Sequence, residues 1–140
     1  PASPPRPGST RKKPMKIEVA NGEIVDKFTI LSIKLDKITA PGKLENIRRE
    51  HTHLKAAVQE LNIAADDPDL MALQAVNLTL WDIEDRIREK EAAQRFDSEF
   101  IELARSVYFN NDKRAELKRR INEKTGSLLM EEKAYAPYRP

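Results

Sequence analysis

Residues 21–39, NGEIVDKFTILSIKLDKIT, decide the fold. Ile24, Phe28, Leu31, Leu35 and Ile38 step by 4, 3, 4 and 3 positions, which lays them on one stripe of an α-helix. Ile30 and Ile33 widen that stripe, so the helix must be covered on more than one side. Asn21-Gly22 reads as its start, with the Asn21 side chain accepting a bond from an early unpaired N–H. Asp26, Lys27 and Lys34 sit at its flanks. Ala40-Pro41-Gly42 ends it near Thr39, because proline has no N–H for a helix interior.

The same period continues to the C-terminus. Leu44, Ile47, His51, Leu54, Val58 and Leu61 mark a second helix. Asp66-Asp67-Pro68 gives the third a cap and a proline at its first position, where the missing N–H is not needed. Leu73, Val76, Leu80, Ile83 and Ile87 form that helix's stripe. After a break at Ala93 to Phe96, Asp97 caps the fourth, with Phe96 and Ile101 spaced as a hydrophobic staple and Glu99 and Glu102 near its positive end. It is expected to run to about Lys124, where Thr125-Gly126 stops it. At ~1.5 Å per residue the last two helices would be about 36–42 Å long and the first two about 28 Å. The expectation is an all-α, up-down four-helix bundle over residues 15–126. Its long third and fourth helices form a hairpin against which the shorter pair packs.

Outside the bundle, residues 1–14 hold five of the nine prolines and the cations Arg6, Arg11, Lys12 and Lys13. That composition reads as a disordered basic arm or leader. Met15 opens a change of composition and reads as the functional start. Met15-Lys16-Ile17-Glu18-Val19 alternates apolar and polar, the signature of a short extended segment. Residues 127–140 read as an irregular tail.

Of 25 bases and 23 acids, the arm carries four bases and no acid, so the remainder is slightly acidic. Such a surface has no general attraction for a phosphate backbone, and nucleic acid is not expected as a partner. With no cysteine, the chain has no disulfides, thiolate metal sites or cysteine nucleophile. It has no membrane-length apolar run and no secretory signal, so a cytoplasmic protein is expected. With only four glycines and no phosphate loop, no cofactor is expected.

Candidate functional residues are those that interrupt the apolar rows. In the fourth helix Asn110, Asn111, Arg114 and Lys118 stand between apolar ends. In the third, Asn77, Trp81, Glu84 and Arg88 form a row beside the main stripe, and His51 occupies a stripe position in the second. A charge near a seam must be paired, so Arg114 is expected opposite Glu84 or Asp85. The arrangement supports a structural network that fixes register, or a polar pocket for an anionic molecule. His51 and His53 are two apart and cannot form a helical zinc pair, so no metal site is expected. His51 is expected as a hydrogen-bonded histidine on a half-buried face. The acid pairs Glu23/Asp26 and Asp82/Asp85 have magnesium-site spacing, but bases at Lys27, Arg86 and Arg88 explain them as ion pairs. No serine has a triad-like neighbourhood, so no catalytic residue is assigned.

The run from Lys16 to Lys27 (KIEVANGEIVDK), Leu80-Trp81 with Ile83 to Arg88 (IEDRIR), and Glu102 to Tyr108 (ELARSVY) before Asn111-Asp112 resemble an uncharacterised bacterial helical domain family. The resemblance covers Met15 to Ala136. It groups Asn77, Glu84, Asp85, Arg88, Asn111, Asp112, Arg114 and Lys118 as one constellation of the third and fourth helices. It also implies a setting near surface-polysaccharide glycosyltransferases. The expected function is a non-enzymatic helical binding or assembly module with a protein partner or a second copy. The alternative is a small helical enzyme or sensor that takes a nucleotide or nucleotide sugar between the third and fourth helices.

Overall fold

The computed structural model describes residues 13–138; residues 1–12 of the proposed arm (1–14) and the last two residues of the tail lie outside it. Four helices follow one another: α1 Asn21–Lys37, α2 Pro41–Glu60, α3 Pro68–Ala92 and α4 Ser98–Thr125. The fold is all-α, as the periodicity indicates. Among the described residues there is no strand, and no helix is long and apolar enough to cross a membrane.

Local chemistry sets three of the helix boundaries as expected: the starts of α3 and α4 and the end of α4. Asp67 accepts from the Asp69 and Leu70 N–H groups at 2.9 and 3.1 Å, ahead of Pro68. Asp97 accepts from the Phe100 N–H at 3.0 Å. Gly126 closes α4 in the left-handed region, φ 65°, a conformation glycine adopts without a Cβ clash. The start of α1 differs from expectation. Ala20 is its cap and makes no side-chain bond, while the Asn21 amide donates instead to Thr125 Oγ1 at 3.0 Å. The Phe96 ring meets Phe100 edge-on at 5.2 Å, and both Phe96 and Ile101 are exposed.

The helices alternate in direction, but α1 alone comes close in backbone to all three others; the backbone of α2 comes close to no helix except α1. The expected docking of a shorter pair on a long hairpin therefore reduces to α1 seated on α3 and α4, with α2 along its outer side. The core lies at the end where α1 and α3 begin and α2 and α4 finish. Val25, Val58, Ile63, Leu70, Leu73, Leu117 and Ile121 are buried there together. At the opposite end, Lys90 closes the α3–α4 hairpin by binding Asp97 at 2.9 Å and Glu99 at 3.3 Å. The hydrogen bond to Lys90 holds the Asp97 carboxyl below its ordinary pKa.

The tail is irregular yet held. Beyond Gly126 it runs back along α4, with Glu131 on Lys118 at 2.7 Å, Glu132 on Arg119 at 3.2 Å and the Tyr138 hydroxyl on Asp112. The Tyr138 ring packs edge-on against Tyr108 and Phe109. An extended chain advances about 3.3 Å per residue against 1.5 Å in a helix, which lets a dozen residues reach back five turns.

Candidate functional site

The polar residues of the bundle converge on α1. Gly22, Asp26, Thr29 and Ile33 recur at 4, 3 and 4 positions and so share one helix face. Asp26 is 1% exposed. Its carboxylate accepts two bonds from Arg114 of α4, from Nε at 2.8 Å and Nη2 at 2.6 Å, and one from Asn77 of α3 at 2.9 Å. The Asn77 amide also donates to Thr29 Oγ1 at 2.9 Å, and that hydroxyl donates to the Asp26 carbonyl at 2.7 Å. No buried side-chain nitrogen or oxygen among the described residues lacks a partner. The planar guanidinium matches the carboxylate fork, so the buried Asp26 charge is met by a half-buried Arg114. The hydrogen bonds to Asp26 push the Arg114 pKa above its ordinary value.

One turn on, Lys118 reaches Glu23 of α1 and Glu131 of the tail, each at 2.7 Å. Burial opposes its charge, but the bonds to Glu131 and Glu23 outweigh that and raise its pKa. Further along, Asn122 Oδ1 accepts the Gly22 N–H at 2.6 Å, and Ser127 Oγ accepts the Asn21 N–H at 2.9 Å. A Cβ at Gly22 would lie 2.4 Å from the Lys118 carbonyl oxygen, so only glycine permits this approach of α1 to α4.

This geometry corrects the expected pairing. Arg114 meets Asp26, not Glu84 or Asp85. Glu84 pairs with Arg88 at 3.6 Å on the exposed side of α3, and Asp85 is exposed as well. The proposed constellation thus divides. Asn77 and Arg114 form the buried network with α1, and Lys118 lies next to it. Asn77, Glu84, Asp85, Arg88 and Arg114 also line an open groove of about 480 Å3 beside α1, walled by Ile30, Ile33, Leu80 and Trp81. Asn111, Asp112 and Arg114 line a separate cavity of about 650 Å3 between α4 and the tail, with Tyr108, Lys133, Tyr135 and Tyr138. The hydrogen bond to Asp112 pushes the Tyr138 pKa up to about 12.

His51 belongs to neither place. It stacks on Phe28 at 4.9 Å and its Nε2 lies 3.1 Å from Ser32 Oγ, joining α2 to α1. Burial, then the nearby Lys55, lowers its pKa. The bases expected beside the acid pairs are engaged elsewhere, Lys27 with Glu50, Arg86 with Glu89 and Glu99, and Arg88 with Glu84, while Glu23 and Asp26 meet Lys118 and Arg114 of α4. Among the described residues no three His, Asp or Glu side chains gather as a metal set. Sequence reasoning left Asp26 and Thr29 out of the site. The signal that could have found them was the row Gly22-Asp26-Thr29-Ile33, a second stripe of small and polar residues beside the apolar one.

A model of a family of unknown function, DUF6165, matches residues 15–138. The chain belongs to that family. No curated protein and no solved structure matches it. The DUF6165 match takes in the extended segment, all four helices and the tail as far as Tyr138, so the tail that grips α4 falls within the matched unit.

Proposed function

We propose that the protein is a non-enzymatic binding and assembly module that presents a rigid helical surface to a protein partner. The observation that carries this reading is the use already made of its interior cations. Arg114 is bound to Asp26, and Lys118 to Glu23 and Glu131. An anionic substrate would have to displace carboxylates of the same chain. The network instead ties α3 and α4 to α1 and sets the spacing of their outer faces.

The surface best suited to a partner is the groove beside α1. Ile30, Ile33, Leu80 and Trp81 offer apolar contact, and Glu84, Asp85 and Arg88 form a charged rim. An amphipathic helix laid in such a groove buries its apolar side while its polar side stays in water. Tryptophan in the wall of a groove is a frequent anchor of binding energy. The resemblance drawn from the sequence makes a bacterial surface-glycan synthesis apparatus the first assembly to search.

A photo-crosslinking residue placed at position 85 tests this. The expected result is one discrete adduct, weakened ~30-fold or more in affinity by Trp81→Ala, as for an anchor worth about 2 kcal/mol. Thermal shift against nucleotides, nucleotide sugars and Mg²⁺ should show no stabilisation. Stabilisation by one of these that disappears in Arg88→Ala or Asn111→Ala, with the helix content unchanged, would replace this reading by the ligand-binding one.

A further inference from the structure

The segment ahead of α1, residues 15–19, leaves its apolar residues without cover. Met15 is 92% exposed, Ile17 76% and Val19 37%, at alternate positions of the chain. Its backbone makes no ladder with any other segment. Close by, Ser127 is tied to Asn21, and the next residues, Leu128, Leu129 and Met130, are exposed too. Six apolar side chains therefore flank one point of the molecule, where α1 begins and α4 ends.

The segment is complementary to itself. When two copies run antiparallel about Ile17, position 15 faces 19, 16 faces 18 and 17 faces 17. Residues directly opposite one another project to the same face of such a pair. One face then carries Met15, Ile17 and Val19 of both copies, and the other carries Lys16 opposite Glu18 twice. A slip of two residues in one direction sets Lys16 against Lys16, and in the other Glu18 against Glu18. Parallel in-register pairing opposes both like pairs. Like charges directly opposite are destabilising, so the charges select one orientation and one register. Pro14, with no N–H to offer, bounds the strand at its start.

We infer that residues 15–19 of two copies pair as an antiparallel ribbon and join the chain into a two-fold symmetric dimer. This deepens the reading of the protein as an assembly module by naming a second copy as one of its partners, and it uses a surface separate from the α1–α3 groove. A two-stranded ribbon alone is marginal in water. The exposed Leu128, Leu129 and Met130 supply the apolar surface on which its greasy face can rest. The interface is isologous, since each copy contributes the same five residues.

Analytical ultracentrifugation of the full chain between 1 and 200 μM (chosen as roughly the range of transient interfaces) tests the inference. The expected result is a reversible dimer. Lys16→Glu alone and Glu18→Lys alone should each weaken it tenfold or more, and the double exchange Lys16→Glu/Glu18→Lys should restore it. Circular dichroism should be the same for all four proteins. A monomer throughout the range overturns the inference, as does a dimer indifferent to these substitutions. Either result leaves the groove crosslink at position 85 free to succeed or fail by itself.

Discussion

At the scale of single residues, the Asp26 carboxylate decides most. It is enclosed between three helices and receives three hydrogen bonds, two from Arg114 and one from Asn77. Removing one member of a buried ion pair leaves the other uncompensated, and this costs about 3–5 kcal/mol. Arg114→Met should therefore lower the denaturation midpoint by that equivalent. Asp26→Leu combined with Arg114→Met should recover most of it, since an apolar replacement for the whole pair is often neutral. A double-mutant cycle by urea titration, followed by circular dichroism, checks both. The residue scale is also where the sequence was least informative. Periodicity says which face of its own helix a side chain occupies, but not which neighbour that face meets. Arg114 was legible as a charge needing a partner. Its partner was not, because Glu84 and Asp26 are equally good carboxylates until the helices are docked.

At the scale of elements, the boundaries were easier to read, because the chemistry that ends a helix is local. Asp67 with Pro68, Asp97, and Gly126 each act within a turn of their own position, and each was legible. The start of α1 was not: Asn21 looks like a cap and serves instead as a link to Thr125, since the close approach at Gly22 brings α4 within its reach. Gly22→Ala must push α1 off the Lys118 carbonyl. The expected cost is about 1–3 kcal/mol, as for other overpacked contacts, and thermal denaturation measures it. The turn after α3 offers a change of the opposite sign. Gln94 has φ 53°, a region that crowds its Cβ. Gln94→Gly should raise stability by about 0.5 kcal/mol once glycine's own entropy is counted, visible as a small upward shift of the urea midpoint.

At the scale of the whole molecule, the all-α bundle followed from its four apolar stripes, but the way the helices share neighbours did not. The tail adds an acid-sensitive fastening. The hydrogen bond from Lys118 holds the Glu131 carboxyl below its ordinary pKa. A carboxyl whose folded pKa is depressed contributes stability above its unfolded value, and that contribution is lost as pH falls through the folded one. Acidification below the ordinary glutamate range should therefore release the tail before the helices melt. Fluorescence of Tyr135 and Tyr138 at descending pH, set beside the far-ultraviolet helix signal, reports the order of the two events. The arrangement of the helices has a dynamic consequence. Because the backbone of α2 comes close to α1 alone among the helices, and α2 buries only Ile47 and Val58 from within its length, it is the least tied of the four, with Val58 its one buried side chain in the shared core. Its amides should trade hydrogen for deuterium ahead of those of α3 and α4, making it the hinged door of an otherwise locked frame.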